Sequence, residues 1–398
     1  MSSTGYYAAK SRALFCFAAT VLLSVPAAHA CEWAYAIWSI RNKPADPLFR
    51  FVQNGKAGYI DASGKVVIAA SLPANGNFDG EFHEGLLAVK EKDGYRYIDR
   101  SGKVIFRSDA WLALDFSEGL APASPSAGFP NAKWGFIDHA GQFVIAPQYE
   151  WVEPFSEGLA RVSVSREVGT TGYIDTHGQF VIPPRLTYGS SFHEDRAAAI
   201  ISGPCRITNG GSCGRVVFQP TEPGAGYDCR YAIIDKRGEP VSNLRFDDAQ
   251  DFAEGLAPVR IGSEWGFVDR SGQISISPRF QWAEPFSEGM AVVEENEKMG
   301  FIDHAANYVI PPQFESAESF SDGRAIVSKS EGSGNWSSRF IDKIGNPAFP
   351  GVFSGAAPFA YGLASVALDR KGTFAWIDTS GRTVFRYVVR QPRRRDHS

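Results

Sequence analysis

The residues of this chain that could do chemistry are acids that return at one place in a repeated phrase, Phe-Ser-Glu-Gly. Hydrolysis of a glycosidic bond needs two carboxylates that flank one bond. The phrase supplies one acid per unit, so repeat symmetry distributes the acids over the surface instead of pairing them. We therefore predict turn or capping roles for them and keep a glycoside hydrolase as the less favoured alternative. The acids are Glu84, Glu118, Glu157, Glu194, Glu254, Glu288 and Asp322.

A second series of acids begins the phrase Asp-x-x-Gly, again once per unit. These aspartates lack the Asp-x-Asp-x-Asp spacing of a calcium loop. We predict hairpin turns, because such an aspartate accepts hydrogen bonds from backbone N–H groups and the glycine takes positive φ at little cost. In the seventh unit Ala306 and Asn307 stand at the glycine, and we predict that Asn307 takes the positive φ. The series is Asp61, Asp99, Asp138, Asp175, Asp235, Asp269, Asp303, Asp342 and Asp378.

The histidines show no catalytic or metal-binding spacing. His139, His177 and His304 lie inside the Asp-x-x-Gly turns, and His83 and His193 replace the serine of Phe-Ser-Glu-Gly. The chain has no His-Glu-x-x-His and no Gly-x-x-x-x-Gly-Lys-Ser/Thr loop. The sequence therefore predicts no catalytic residue, no metal and no cofactor, and we interpret the protein as non-enzymatic.

The first thirty residues are predicted to be a secretory signal peptide. Lys10 and Arg12 precede an apolar stretch at 13–25, and Ala28-His29-Ala30 fits an A-x-A cleavage site. The apolar stretch is too short for a membrane span, and no later segment is long and apolar enough to be one. We expect a periplasmic or secreted protein without a transmembrane segment.

Four cysteines remain after cleavage, and an even number in an exported chain favours disulfides. Cys205, Cys213 and Cys229 share one irregular segment, so at least one local bridge is expected there, with the pairing open. Their gaps of 8 and 16 residues match no common zinc finger. Cys31 is the fourth disulfide candidate. It would also be the first mature residue, and its acylation would anchor a lipoprotein, although Ala28 stands where such signals carry leucine.

The charge argues against a nucleic-acid-binding protein. The full chain carries −4, and loss of Lys10 and Arg12 with the signal leaves −6. Proteins that bind nucleic acid present a dense basic face instead. The basic segment of this chain is its end, with Arg390 and three arginines at 393–395. We predict a disordered basic tail at 386–398.

These residues must be positioned by short strands, because one phrase repeats about nine times at spacings of 34 to 39 residues, with one of 60. In the run from Trp265 to Asp269, alternate residues face opposite sides, which is the period of a strand. The runs 256–259 and 274–276 are further strands, and Pro278 is predicted to end the last one. Each unit is thus a three- or four-stranded meander.

Units of this kind cannot bury their apolar faces singly, so neighbours must stack. We predict an all-β protein of tandem meanders that forms a propeller-like ring of seven or eight blades. Nine turn motifs exceed the needs of such a ring, and an open β-superhelix stays as the alternative. The predicted organisation is a lead-in at 31–47, a repeat domain at 48–385 and a Cys-rich insertion at 198–230.

The strings at 134–138 and 265–269, each followed by Pro-x-Phe or Pro-x-Tyr and then Phe-Ser-Glu-Gly, resemble the bacterial WG-repeat family, also called KWG repeats. The resemblance covers about residues 48–385, although units such as those at Ala57 and Thr171 lack the tryptophan. It implies an all-β repeat protein with an interaction-related function, often in the bacterial envelope. It implies no catalytic residues.

The expected function is an exported, non-enzymatic scaffold that binds another envelope or extracellular protein. Long loops on a rigid scaffold serve binding, so the 198–230 insertion and one ring face are the expected surface. The alternative is a glycan- or peptidoglycan-binding module that uses Trp111, Trp151 and Trp282, because exposed rings stack on sugars. The equivalent places of Trp151 and Trp282 in their units favour packing between units instead.

Overall fold

The computed structural model describes residues 46–74, 80–125, 132–165, 167, 169–201, 205–209, 216–220, 229–332 and 335–389. Within these residues the chain forms 34 β-strands and no helix, so the predicted all-β class is confirmed. The strands form nine sheets, here called blades 1 to 9, and one separate two-stranded hairpin. The predicted signal peptide at 1–30 and most of the lead-in lie outside the described residues.

Blades 1 to 3 contain the first ten strands. These are β1 (Phe49–Gln53), β2 (Lys56–Ile60), β3 (Val66–Pro73), β4 (Leu86–Glu91), β5 (Gly94–Asp99), β6 (Val104–Ser108), β7 (Leu112–Ala113), β8 (Ala121–Ser124), β9 (Trp134–Ile137) and β10 (Phe143–Tyr149). Blades 1 and 2 have three strands each, and blade 3 has four.

Blades 4 to 6 contain the next thirteen strands, with β17 and β18 forming the separate hairpin. These are β11 (Trp151–Val152), β12 (Ala160–Ser163), β13 (Thr171–Ile174), β14 (Phe180–Leu186), β15 (Tyr188–Gly189), β16 (Ala197–Ile200), β17 (Cys205–Asn209), β18 (Val216–Pro220), β19 (Ala232–Ile234), β20 (Asp248–Ala249), β21 (Leu256–Ile261), β22 (Glu264–Asp269) and β23 (Ile274–Phe280).

Blades 7 to 9 contain the remaining strands. These are β24 (Trp282–Ala283), β25 (Ala291–Glu295), β26 (Lys298–Ile302), β27 (Tyr308–Phe314), β28 (Ser316–Ala317), β29 (Ala325–Gly332), β30 (Asn335–Ile341), β31 (Gly355–Ala356), β32 (Leu363–Ala367), β33 (Thr373–Asp378) and β34 (Thr383–Val388).

Each four-stranded blade is an antiparallel meander in which every strand pairs with the next one in sequence. The second strand carries Leu-Ala-x-Val and the third carries Trp-Gly-Phe-Ile-Asp. Both are buried almost throughout, because each blade is covered by a neighbour on either side. The fourth strand alternates exposed and buried residues, as in β10, and forms an outer wall. In the described residues, blades 1 and 2 lack the first strand and blades 5 and 8 lack the fourth.

The blades close into a ring, because blade 9 packs on blade 1 as the other neighbours pack on each other. The glycine of Asp-x-x-Gly faces the preceding blade, as Gly178 faces Ile145. In the same way Gly64 of blade 1 faces Val384 of blade 9. The seam between them is aromatic, with ring centroids 4.9 Å apart for Phe51 and Phe385. The predicted propeller-like ring is confirmed.

The ring has nine blades, so the predicted number of seven or eight is wrong, and the open superhelix is excluded. The nine Asp-x-x-Gly turns, which counted in favour of the open form, belong to one blade each. The number of blades follows from the angle between neighbouring sheets. No single unit of sequence specifies that angle, which explains the miscount.

A bulge in the fourth strand explains the glycine of Trp-Gly. The sequence predicts that Pro278 ends its strand, but β23 continues to Phe280 with its register against β22 shifted beside Phe267. The bulge turns the carbonyl of Ile276 toward Gly266, where a Cβ would lie 2.4 Å from the oxygen. Glycine is required there because any side chain would collide with that backbone.

The two ends of the blades form two faces of the ring. Because the strands are antiparallel, the turns between first and second strands and between third and fourth strands lie at one end. We call this end the acid face, since it carries both series of acids. The other end carries the turns between second and third strands and the passages from one blade to the next. We call it the insertion face, because β17 and β18 follow the second strand of blade 5.

Three further boundaries bear on the predictions. Strand β34 reaches Val388, so residues 386–388 of the predicted tail pair in the sheet, and only 390–398 lie outside the described residues. The predicted insertion begins at 198, but residues 198–200 still belong to β16. Among the described residues, no helix is long and apolar enough to span a membrane.

Candidate functional site

The acids of Phe-Ser-Glu-Gly sit in tight turns that strain their backbone. In blade 4 the amides of Ser156 and Leu159 each donate to the carbonyl of the other, which closes a two-residue hairpin. Glu157 has a φ of 54° and Gly158 one of 84°, the pattern of a type I′ turn. A glutamate in the left-handed region is uncommon and costs free energy. The same positive φ recurs at all seven acids of the series.

The carboxylates of these acids bind the next blade. The Glu118 carboxylate accepts a hydrogen bond of 2.8 Å from the Gly158 amide, across the boundary between blades 3 and 4. We call this contact the carboxylate clamp. It recurs between Glu84 and Gly119, Glu157 and the amides of Glu194 and Asp195, Glu194 and Gly255, Glu254 and Gly289, Glu288 and Gly323, and Asp322 and Gly362. The predicted backbone role of the acids therefore reaches across blades.

Basic side chains at the residue after the turn aspartate complete several clamps. His139 Nε2 lies 3.2 Å from Glu84 and its ring stacks on Phe116 with centroids 4.3 Å apart. Lys236 Nζ lies 2.7 Å from Asp195 and 3.5 Å from Glu157, and the hydrogen bond from Lys236 lowers the pKa of Asp195. Acids held in this way link neighbouring blades.

The aspartates of Asp-x-x-Gly have the predicted turn geometry. Asp378 Oδ1 accepts from the Ser380 hydroxyl and from the amides of Ser380 and Arg382. The hydrogen bond from the Ser380 side chain is the main reason why the pKa of Asp378 falls to about 2. The prediction for the seventh unit is wrong, since Ala306 takes the positive φ of 64°. Asn307 instead donates from Nδ2 to Asp303, because the left-handed position is set by its distance from the aspartate.

A half-buried polar cluster lies on and beside the first and second strands of blades 4 and 5. The Arg161 guanidinium pairs with Glu153 and lies 5.1 Å from the ring centre of Tyr188. Ser191 of blade 5 donates to the same carboxylate at 3.1 Å. Burial opposes the charge on Arg161, but Glu153 more than offsets it, so the pKa of Arg161 is raised. Burial also raises the pKa of Tyr188 to about 12, so its hydroxyl keeps its proton.

Two histidine–aspartate pairs join neighbouring blades, and sequence reasoning missed both. His193 Nε2 lies 3.5 Å from Asp251, and His83 Nε2 lies 3.8 Å from Asp115. A pattern in the amino-acid sequence predicts these pairs. Wherever histidine replaces the serine of Phe-Ser-Glu-Gly, an aspartate precedes the phenylalanine of the next unit. Elsewhere the serine hydroxyl donates to the carbonyl of that phenylalanine, as Ser156 does to Phe192 at 2.6 Å.

The insertion face brings together the other candidates of the sequence. The hairpin β17–β18 projects between β16 and β19, and Cys229 at its return is disulfide-bonded. The side chains of Cys31, Cys205 and Cys213 lie outside the described residues, so their pairing stays a prediction. The phrase Gly-Gly-Ser-Cys-Gly at 210–214 fits the Gly-x-Ser-x-Gly pattern of hydrolases. It joins two strands of a hairpin, however, whereas a nucleophile elbow leads from a strand into a helix.

The three tryptophans of the glycan alternative also lie on this face. Trp111 is 40% and Trp151 is 46% exposed, whereas Trp282 is half-buried. Trp151 meets Trp134 of the preceding blade with ring centroids 5.9 Å apart, and Trp282 meets Trp265 at 4.9 Å. These rings therefore pack between blades, and two of them keep a solvent-facing side. Within the described residues, no group of three or more ligating side chains could hold a metal ion.

Comparison with known proteins identifies the family of the repeat. The sequence profile of a family described as "WG containing repeat" matches residues 134–165, 172–203, 231–265, 265–298, 299–332 and 339–371, half of the chain. No curated protein matches.

Solved structures match over most of the chain at low identity. The dihydro-heme d1 dehydrogenase NirN is 14% identical, with a TM-score of 0.41, over 89% of this chain and 77% of that one. AztD from Citrobacter koseri is 11% identical, with a TM-score of 0.37, over 87% of this chain and 96% of that one. BamB from Moraxella catarrhalis is 9% identical, with a TM-score of 0.35, over 85% of this chain and 90% of that one.

Proposed function

The chain belongs to the WG-containing repeat family, and from this we propose that it is a repeat scaffold that binds another protein through the insertion face of its ring. The observation that carries the proposal is the break in regularity at blade 5. The second and third strands of blade 1 are joined by Asn54 and Gly55 alone, whereas those of blade 5 are separated by residues 201–231. A long segment on one blade of a regular ring is typical of a binding element.

Rigidity at the base of the insertion supports the proposal. The strands that flank it, β16 and β19, are buried in their blade, and Cys229 at its return is disulfide-bonded. The half-buried Arg161–Glu153 pair holds the segment that follows the first strand of the same blade through Ser191. A pre-ordered surface loses little conformational entropy on binding, so a partner gains affinity from few contacts.

A non-enzymatic role fits the acids. Each carboxylate of the Phe-Ser-Glu-Gly series is bound to the backbone of the next blade. We therefore propose a binding protein without cofactor or metal. We place it in the periplasm or outside the cell of a bacterium, with attachment through an acylated Cys31 as the alternative, because of the signal at 1–30.

In the test, three forms of the 31–398 protein are immobilised on a support and incubated with an envelope extract. The proteins that each form captures are then compared. The first is the wild type. The second has residues 201–230 replaced by Asn-Gly, the turn of blade 1, and the control has residues 331–335 of blade 8 replaced in the same way. We expect one protein in near-equal amount on the wild type and the control and none on the second form. Calorimetry with the purified partner then gives its affinity. Equal capture by all three forms would show that the insertion is not the site.

Glycan binding is the second candidate, and the exposed faces of Trp111 and Trp151 favour it. Lys90 on the same face donates to the Trp111 carbonyl at 2.7 Å and lies 4.9 Å from its ring centre, which fixes that ring. Sedimentation with purified peptidoglycan tests this function. Trp151→Ala combined with Trp282→Ala should abolish sedimentation if sugars stack on these rings. Unchanged sedimentation of the double variant, or none for the wild type, would exclude it.

A further inference from the structure

The outer strands of blades 3, 4, 6 and 7 are protected against pairing with another chain. The fourth strand is the last of its sheet, so one edge of its backbone has no partner strand in the described residues. Prolines interrupt this edge in blades 3, 4, 6 and 7, each beside the bulge opposite the Trp-Gly glycine. Proline and bulges are the usual protection of exposed edges. The prolines are Pro147, Pro183, Pro184, Pro278, Pro311 and Pro312.

Strand β34 of blade 9 lacks this protection. It has no proline, and it pairs with β33 in unbroken register from Phe385 to Val388. Its single register shift lies before Phe385, near the turn. Ala375 replaces the glycine of the third strand, and the bulge that would collide with its side chain is absent. The outer edge of blade 9 is therefore straight over four residues.

The free edge of β34 presents unpaired backbone groups at Arg386 and Val388. The Val389 amide donates to the Gly372 carbonyl at 2.8 Å, so Val389 belongs to a hydrogen-bonded pair. Such pairs alternate along antiparallel strands, so Tyr387 and Phe385 also bond inward and the two residues between them point outward. Arg386 and Val388 have exposed side chains as well, whereas the rings of Phe385 and Tyr387 pack on blade 1.

The charge around this edge is basic. Arg386 stands in the middle of the strand, and the sequence continues with Arg390 and with three arginines at 393–395. Two copies of this edge would repel each other, because antiparallel pairing would bring the arginines of both copies together. An acidic strand would instead meet opposite charges along the edge.

We propose that the outer edge of β34 accepts an extended acidic segment of a partner protein as a fifth strand of blade 9. The partner's backbone would bond to the outward amides and carbonyls of Arg386 and Val388. An acidic side chain of the partner would lie beside Arg386, which is exposed on this strand. Backbone pairing supplies affinity in this mode of recognition, and flanking side chains supply selectivity. The site is on the outer wall, apart from the insertion, and does not depend on the function proposed above.

The experiment uses the 31–398 protein and fluorescence anisotropy of labelled twelve-residue peptides that alternate glutamate with valine or lysine with valine. The paired variants are Arg386→Ala, which removes a charge, and Arg386→Pro, which removes the outward amide as well. We expect the glutamate peptide to bind, the lysine peptide not to bind, and Arg386→Ala to weaken binding a few-fold. Arg386→Pro should weaken it about tenfold more, the equivalent of about 1.4 kcal/mol. Arg185→Ala, on the proline-bearing β14, is the control and should bind as the wild type does.

A second measurement keeps the test valid if Arg386→Pro does not fold. Two forms of the glutamate peptide are N-methylated at alternate residues, one at the odd and one at the even positions. If the peptide adds as a strand, only one set of its alternate amides faces β34. Only the form that is methylated at that set should therefore lose binding to the wild-type protein. Equal binding of both forms, or equal weakening by Arg386→Ala and Arg386→Pro, would overturn strand addition. Binding to anionic phosphatidylglycerol vesicles without binding to the peptide would assign the arginines to a lipid surface and also overturn it.

Discussion

Blades 3 to 5 and blades 6 to 8 are two versions of one three-blade unit. Each version begins with a tryptophan pair across its first boundary, continues with a double proline in its second outer strand, and ends with a blade whose fourth strand is missing. The matching features are Trp134–Trp151 and Trp265–Trp282, Pro183-Pro184 and Pro311-Pro312, and Asp235-Lys236 and Asp342-Lys343. Their differences show what the repeat tolerates.

The clearest difference concerns one buried acid. Glu153 of the first version and Glu284 of the second occupy the same place and accept a hydrogen bond from a serine of the next blade. Opposite Glu153 stands Arg161, whereas opposite Glu284 stands Val292. In the next blade, Glu318 lies near Glu284. Burial, and then the charge of Glu284, raises the pKa of Glu318 to about 8.

The second difference is the insertion. Blade 5 carries it between its second and third strands, whereas blade 8 joins the corresponding strands β29 and β30 directly. The ring accommodates both, because a loop between two strands at the end of a blade does not enter the contacts between blades. The comparison separates residues that build the ring from residues added to it.

The largest expected effect is at Arg161. Arg161→Met should cost about 3 kcal/mol of unfolding free energy at pH 7, because it leaves the half-buried Glu153 without its ion-pair partner. Urea unfolding followed by tryptophan fluorescence measures it. The double variant Arg161→Met with Glu153→Gln should recover most of the loss. A loss of less than about 1 kcal/mol for the single variant would show that water already solvates Glu153.

At Glu318 the expected effect is smaller and depends on pH. Its pKa in the folded protein lies above the ordinary value of 4.5, so the folded state keeps a proton that the unfolded chain releases. Stability is therefore lost as the pH rises from about 4.5 to about 8, and Glu318→Gln should remove this loss. We expect the variant to be more stable than the wild type by on the order of 2 kcal/mol at pH 8 and equal to it at pH 4. The measurement is the melting temperature of both proteins from pH 4 to pH 8. A difference between the two melting temperatures that does not change with pH would contradict the raised pKa.

Removing equivalent carboxylate clamps should lower the free energy of unfolding by equal amounts. Glu157→Ala and Glu288→Ala each remove a carboxylate clamp and a lysine partner, Lys236 or Lys343. Each should cost about 1 to 2 kcal/mol, the usual contribution of a charged hydrogen bond. The matched variants Glu157→Gln and Glu288→Gln keep an acceptor and should cost less. Chemical unfolding of the four proteins measures this, and a twofold difference between the two alanine variants would show that the versions are not equivalent.

The smallest expected effect on stability is that of the insertion. Replacing residues 201–230 by Asn-Gly should shift the melting temperature by less than about 4 °C, since blade 8 folds with a direct turn. Differential scanning calorimetry of the variant and the wild type measures the shift. A fall of 10 °C or more would mean that the segment, with the disulfide of Cys229, is part of the core of blade 5.

Features of this protein that depend on short-range hydrogen bonds can be predicted from one repeat unit. The Asp-x-x-Gly turns and the alternation along the third strand follow from contacts within one unit, and both were predicted from the sequence. The glycine of Trp-Gly also follows from a contact within one unit. The exceptions were local misreadings, such as Ala306 in the left-handed position and a strand that continues past Pro278. Both arise because a bulge or turn position is set by its place in the ladder rather than by the residue that fills it.

Features that depend on the angle between blades become visible when the blades are assembled in the ring. The number of blades, the closure of Gly64 against Val384 and the target of each clamp acid lie one unit or a whole ring away in sequence. The state of Glu318 likewise depends on Glu284 of the preceding blade and on the apolar surroundings of both. Small differences in packing angle add up over the ring, and the charge of a buried group follows from its neighbours in space. Neither the packing angle between blades nor the charge of a buried group can be predicted from the sequence of one repeat.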